Sequence, residues 1–327
     1  MNLKSIFLFF IIISFLNNCS PNFTDEKRNF YSYKQKLYLK ALKKDYPTEV
    51  IEKSFNIVKY SKKHVKKDRK QFSKKSSFNQ YYNLHINQHK INKGKKKLKK
   101  YHSLLTDIEK KYQIPAQYIV ALWGIESDFG NMMGNNYMVN SLANLAYEGR
   151  RREFFESEFF ASLEIINKNN FQPKKLKSSW AGAVGQCQFM PSTYLNYAVD
   201  YNNNGKTDIW HDKADIFAST ANYLSKINFN NKLPFGYEIK SNNELISYAK
   251  KNKNKKIPLE KLIKKFKIEK INNSNFSEYE LKEKIEILSY DGRIFVNFQN
   301  FDVIKQWNNS NYFALTVGLF ADAIKQN

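Results

Sequence analysis

Apolar positions first gather at residues 6–16, a run interrupted only by Ser14, preceded by Lys4 and followed by Asn17 and Asn18. A run of this length is too short to span a bilayer comfortably, and the basic residue ahead of it gives residues 1–19 the layout of a secretory signal. Residues 20–34 are polar and read as a tether. Helix-compatible spacing comes next at 37–44, 50–60 and 91–105, broken by Pro47 and by the polar stretch 73–79. These segments predict a small, very basic helical region packed on the remainder of the chain.

The clearest helical signal is 114–130, IPAQYIVALWGIESDFG. Pro115 suits a first turn, and Ile119, Leu122, Trp123 and Glu126 then recur at spacings of three and four, so they share a face. Gly124, Ser127, Asp128 and Gly130 predict that the helix runs out close to Glu126. An apolar wall makes a carboxylate costly to ionise, and the negative end of the helix dipole adds to that cost. Both effects keep the acid protonated, as a general acid at a glycosidic oxygen must be. The plainer alternative is a buried Glu satisfied by a polar neighbour.

Residues 142–167 are continuously helix-compatible, with Gly149 as the weak point and the aromatic pairs Phe154, Phe155 and Phe159, Phe160 as core candidates. In 179–194, SWAGAVGQCQFMPSTY, the small residues Ala181, Gly182, Ala183 and Gly185 let backbone and ligand approach closely. Gln186 and Gln188 offer amides of the kind that read sugar hydroxyls and acetamides, although such runs also serve helix packing. Pro191 starts another helix. In 200–215, DYNNNGKTDIWHDKAD, Asp200, Asn202 and Asn204 alternate, Gly205 takes the sharp turn and the Lys206 carbonyl comes next. This matches the first seven positions of an EF-hand loop. The twelfth position is His211, so a closing carboxylate must come from Asp212 or Asp215, and a metal-free Asx turn is the alternative. A helix over 216–226 precedes a change of composition. Between 233 and 300, GYEI, KIEIL and GRIFVNF are β-compatible pieces, and the chain turns helical again after Asn309 or Ser310 as N-cap.

The formal charge of +24 over 327 residues favours an anionic polymer or surface as partner: nucleic acid, phospholipid or peptidoglycan. The lysine runs near 64–70 and 94–100 are either solvated helix faces or anion sites. The export signal removes nucleic acid from the choice. Cys19, just beyond the apolar run, fits the lipidated first residue of a bacterial lipoprotein or falls away by plain cleavage. Cys187 is then the only cysteine left, which excludes an internal disulfide.

Taken together, GIESDFG, SWAGAVGQCQFMPS, the calcium-like loop running into DIW, ANY at 221–223 and WNNSNYFAL at 307–315 resemble the lytic murein transglycosylase B family, from about residue 78 to the end. The resemblance implies a mainly α, lysozyme-like α+β catalytic core over 106–232. An N-terminal helical domain over 35–105, a small inserted β-containing subdomain over 233–300 and a closing helical segment over 301–327 complete the implied organisation. It also implies a monomeric periplasmic enzyme acting on peptidoglycan glycan strands, held to the outer-membrane inner leaflet if Cys19 is lipidated. Carried over by position, Glu126 is the single catalytic acid/base. Ser179, Gln188, Tyr223 and Asn308 line the sugar site. Phe313 stands where relatives carry Tyr, which leaves Tyr312 to supply a hydroxyl. Asp200, Asn202, Asn204, Lys206 and Asp215 fall on calcium ligands, and two Asn among them imply weak binding. No cofactor is implied for catalysis. The implied chemistry is cleavage of the β-1,4 bond between N-acetylmuramic acid and N-acetylglucosamine without water, leaving a 1,6-anhydromuramoyl end. A hydrolytic muramidase and a non-catalytic wall-binding lipoprotein are the alternatives.

Overall fold

The structure, a computed structural model, describes residues 25–64 and 76–325. The signal segment, Cys19 and most of the first lysine run lie outside the described residues. The stretch read as a tether is helical from Asp25: α1 (Asp25–Lys43) buries Phe30, Leu37 and Ala41. It packs with α2 (Thr48–Phe55) against a later helical pair through Phe30–Tyr147 and Phe55–Phe159 ring contacts, with centroids 5.2 and 5.4 Å apart. Those inward-facing rings at helical spacing are why the segment is ordered despite its polar composition. That later pair is α7 (Met138–Glu148) and α8 (Arg152–Lys168). The break between them falls at Gly149, whose φ of +90° is a left-handed conformation that glycine reaches without a Cβ penalty.

At the centre runs α6 (Ala116–Ser127), and it differs from the one-sided stripe expected. Residues 118–124 are all buried, because α4 (Gln88–Lys100), α5 (His102–Tyr112), α10 (Lys213–Lys226) and α15 (Asn311–Ile324) surround it. A helix that is apolar all round belongs in the middle of a core. A Cβ at Gly124 would lie 2.8 Å from both Phe129 and Phe320, so glycine here admits the rings that grip the helix near its end. The second lysine run sits on α4, with Gly94 and Leu98 inward and Lys95, Lys96, Lys99 and Lys100 in solvent. Lys93 and Lys97 instead lie along the rings of Phe129 and Trp123.

The β pieces form a four-stranded antiparallel sheet. It comprises β3 (Gly236–Ile239), β4 (Lys256–Pro258), β5 (Lys284–Tyr290) and β6 (Arg293–Asn297), in the order β3-β6-β5-β4. Asp291 and Gly292, both at positive φ, make the tight turn between β5 and β6. The alternation of the strands divides the sheet's two faces. Ile287, Ile294 and Val296 enter a second core with Leu245, Leu262 and Phe298, while Leu288 and Phe295 join the main one. The charged segments within 233–300 are the helices α11 (Asn243–Lys251), α12 (Leu259–Phe266) and α13 (Glu278–Leu281). A further two-stranded ribbon pairs β1 (Asn136–Tyr137) with β2 (Lys177–Ser178).

Helix α3 (Phe78–His85) rests on the sheet's hairpin. Its first turn is fixed by a Ser77–Gln80 capping box, by Asn79 N–H donating to Asp291 at 2.7 Å, and by Arg293 donating to Asn79. Phe78 meets Phe295 and Tyr312 edge-on. Two short helices complete the fold: α9 (Pro191–Tyr197) and α14 (Gln299–Trp307). Among the described residues, no helix is long and apolar enough to cross a membrane.

Candidate active site

Glu126 occupies the last turn of α6, where the chain leaves the helix through three successive positive-φ residues, Asp128, Phe129 and Gly130. For Phe129 that conformation is strained, and it persists only because the surroundings over-determine it. Phe129 wedges against Trp123, with centroids 5.4 Å apart. Lys93 holds Asp128 at 2.9 Å, while Ser127 Oγ donates to Gln186 O at 2.8 Å and accepts from Gly130 N–H at 3.1 Å. Such a rigid exit fixes the direction in which Glu126 leaves the helix.

The carboxyl has one strong partner. Trp307 Nε1–H, from the end of α14, donates to Glu126 Oε1 at 2.8 Å. Burial pushes this acid up to about 8, and the indole hydrogen bond pulls it partly back. Among the described residues, no other carboxylate contributes to that shift. Asp128, two residues on, is turned aside: burial raises its carboxyl, but Lys93 and Asn131 outweigh this and hold it below the usual range. The charge of Glu126 reaches Cys187 and Tyr81, whose thiol and hydroxyl are both pushed up to about 12, mainly by burial.

The other residues named from the sequence fall at different distances from this centre. Tyr223 is buried on α10 and packs against Trp307 at 4.9 Å and Tyr197 at 4.8 Å. Its hydroxyl donates to Gln306 O at 3.0 Å, so it ties α10 to the backbone that carries Trp307. Gln188, half-buried, sits at φ +51°, with Nε2 donating to Gly185 O and Met133 O. Gln186, offered beside it as a sugar reader, is instead buried. Its amide accepts from Trp123 Nε1 at 2.7 Å and donates to Trp210 O at 2.6 Å. With both ends engaged it holds α6 to the segment before α10. Ser179 closes the small-residue turn, accepting from Ala183 N–H at 3.1 Å while its own backbone N–H donates to Ala183 O. Asn308 is exposed immediately after Trp307.

Phe313 is 3% exposed and points into the core. Tyr312 stacks among Phe78, Tyr81 and Tyr290 rather than at the acid. The tyrosine within electrostatic reach of Glu126 is Tyr81, on α3, which sequence reasoning missed along with Trp307. The Ser77–Gln80 box marks a helix there, but nothing local to it points at residue 126.

The 200–215 loop closes on itself. Asp200 accepts from Asn204 and Gly205 N–H, Asn204 Oδ1 accepts from Lys206 N–H, and buried Asp215 accepts from Tyr201 and Asp208 N–H at 2.8 and 2.7 Å. Asp212 caps α10 with one carboxylate oxygen and accepts from the Asn202 amide of the loop with the other, at 2.7 Å. The loop residues named from the sequence offer oxygen donors of the type a hard divalent cation takes, while no group of three or more His, Cys, Asp or Glu side chains that could hold a metal is present among the described residues. His211 is exposed and bonded to Asp208, outside that set.

A mainly helical core with small antiparallel sheets is the lysozyme-like architecture of lytic transglycosylases. The chain belongs to the Transglycosylase SLT domain family, whose model matches residues 29–322. It is 39% identical over 114 residues to membrane-bound lytic murein transglycosylase B of Escherichia coli K12. That stretch is 35% of this chain and 31% of the relative, so the alignment spans about a third of the relative's length. Among solved structures it resembles SltB3 of Pseudomonas aeruginosa, crystallised with a NAG-NAM-pentapeptide. The TM-score is 0.85 and the identity 30%, covering 91% of this chain and 80% of that one. Escherichia coli Slt35, solved with calcium, shares the fold at a TM-score of 0.76 and 22% identity, covering 89% and 92%.

Proposed function

We propose that this chain is a lytic transglycosylase that cleaves the β-1,4 bond between N-acetylmuramic acid and N-acetylglucosamine in peptidoglycan, with Glu126 as its only acid/base. The reading is supported by the burial of the Glu126 carboxyl, which pushes it up to about 8, and by the lack of any contribution to that shift from another carboxylate among the described residues. A retaining glycosidase needs a second carboxyl about 5 Å away and an inverting one needs it further off with room for water. With one acid, the nucleophile must come from the substrate. Glu126 gives its proton to the glycosidic oxygen as the C1–O bond breaks, and the muramoyl acetamide supports the developing positive charge. The ionised Glu126 then takes the proton of the C6 hydroxyl as that oxygen bonds to C1, leaving a 1,6-anhydro end. Proximity within one sugar ring supplies the nucleophile's advantage.

Around this step, Gln188 offers its carbonyl and Asn308 its amide to the sugar. Ser179 shapes the small-residue turn, Tyr223 supports Trp307, and Tyr312 backs Tyr81. The 200–215 loop would hold a weakly bound structural calcium through Asp200, Asn202, Asn204, the Lys206 carbonyl and Asp215. Its contribution there is to pin the segment in front of α10. The enzyme works outside the cytoplasm on glycan strands, as a monomer. The test is mass spectrometry of digested sacculi. Anhydromuropeptides from wild type, with none from Glu126→Gln, are expected. Reducing-end products would make it a hydrolytic muramidase, and binding without soluble product would make it a wall-binding protein.

A further inference from the structure

We propose that Trp307 is a positioning residue for the acid/base step: its indole N–H occupies one oxygen of the Glu126 carboxyl and so fixes the other as the atom that gives and takes the proton. This rests on the reading of Glu126 as the acid/base. An indole nitrogen can only donate. With Trp307 Nε1–H directed at Oε1 over 2.8 Å, a proton on Oε1 would oppose the indole hydrogen, so the carboxyl proton sits on Oε2. Oε2 passes it to the glycosidic oxygen as the C1–O bond breaks. The same Oε2 recovers a proton from the C6 hydroxyl as the C1–O6 bond forms, and no proton is gained or lost overall. Between the two transfers both oxygens share a negative charge, and the indole bond becomes charge-assisted and roughly twice as strong. Burial alone makes a buried acid a poor proton donor; a fixed donor on the spare oxygen offsets part of that cost where the charge develops.

The indole is held by two separate elements. Phe189, beside the small-residue turn, packs on it at 5.1 Å and Tyr223 of α10 at 4.9 Å. The Tyr223 hydroxyl donates to the carbonyl of Gln306, fixing the backbone one residue before Trp307. Beyond it, Asn308 turns to extended backbone and ends α14, so Trp307 stands at a helix end and cannot slide along it. Were Trp307 only an aromatic surface for sugar, a phenyl ring would serve as well.

Trp307→Phe keeps the ring and removes the donor, and its pH profile separates the two roles. At neutral pH, kcat should fall about 10-fold or more with KM within about two-fold, and the alkaline limb of the profile should move to higher pH. In uniformly 15N-labelled wild type, the indole N–H resonance lost in Trp307→Phe should titrate with the same midpoint as the Glu126 carboxyl. In Glu126→Gln it should not titrate at all. An unmoved alkaline limb in Trp307→Phe, or an indole resonance indifferent to pH in wild type, overturns the proposal. Failure of the function itself reads out elsewhere, as absent anhydro products from wild type.

Discussion

Two buried glutamates in this molecule are treated in opposite ways. Glu280, at 5% exposure in the β-containing subdomain, accepts from the Tyr237 hydroxyl at 2.5 Å, the Ser277 N–H at 2.7 Å and the Lys270 ammonium at 3.2 Å. Burial pushes its acid up, but these donors outweigh burial and hold it below the usual value. Glu126 keeps more of its surface reachable, yet among the described residues its carboxyl takes one hydrogen bond, from the indole of Trp307, and burial wins. Burial therefore does not decide the charge of a carboxyl; the count and sign of its partners do. The subdomain uses its glutamate to staple α13 to the segment around Lys270. The core leaves its own undersupplied, which makes it a poor strut and lets it keep its proton to higher pH.

That contrast is broken first by exchanging each acid for its amide. Glu126→Gln should cost on the order of 10³-fold or more in release of soluble muropeptides, with the folded state retained. Glu280→Gln should leave turnover within about two-fold and cost about 3 kcal/mol of stability, because Lys270 is left buried without its counter-charge. Denaturant unfolding beside a turnover assay checks both. A Glu280→Gln protein as stable as wild type, or a Glu126→Gln protein that still turns over, would reverse the assignments.

The sequence carried one of these two glutamates plainly and the other hardly at all. Glu126 stood out because it recurs with Ile119, Leu122 and Trp123 at helical spacing and is followed by glycines. Glu280 sits in a short charged segment where nothing marks it as buried. The partners of both are non-local. Trp307 lies 181 residues from Glu126, and Tyr81 reaches the site from a helix oriented by its dock on the β5–β6 turn. Periodicity speaks of one element's faces and not of which distant side chain meets them. For the same reason Gln186 and Gln188 looked equivalent: the pattern QCQ cannot say that one amide turns inward to Trp123 and Trp210. The sheet was readable because alternation is a local signal, whereas 142–167, read from its spacing as one continuous helical stretch, is divided at Gly149 into α7 and α8.

A smaller effect sharpens the comparison through pH. Glu126 has its folded value raised to about 8 from 4.5, so the native state holds a proton that the unfolded chain releases. Its contribution is full below about 4.5 and is lost as pH rises toward 8. Glu280 runs the other way: its contribution is present above the unfolded value and lost as pH falls through the folded one. Glu126→Gln should accordingly be more stable than wild type at pH 8 by about 1–2 kcal/mol, discounted for partial exposure, and equal to it near pH 4.5. Thermal unfolding across that range is the check. Stability curves that stay parallel from pH 4.5 to 8 would mean that Glu126 is ionised in the native state.

The 200–215 loop extends the same logic to a cation that is not a side chain. Asp200 and Asp215 are the carboxylates of the proposed donor set, and both already accept from backbone N–H groups, so an added cation gains little. At millimolar calcium, binding to the native state alone should raise the melting temperature by about 2–4 °C, the equivalent of about 1 kcal/mol. Asn204→Asp adds a third carboxylate at a ligand position and should enlarge that shift, since affinity in such loops rises with ligand charge. Asp200→Ala should abolish it. A shift of equal size with magnesium, or one that Asn204→Asp leaves unchanged, would show that calcium acts elsewhere and that the loop is held by its Asx turns alone.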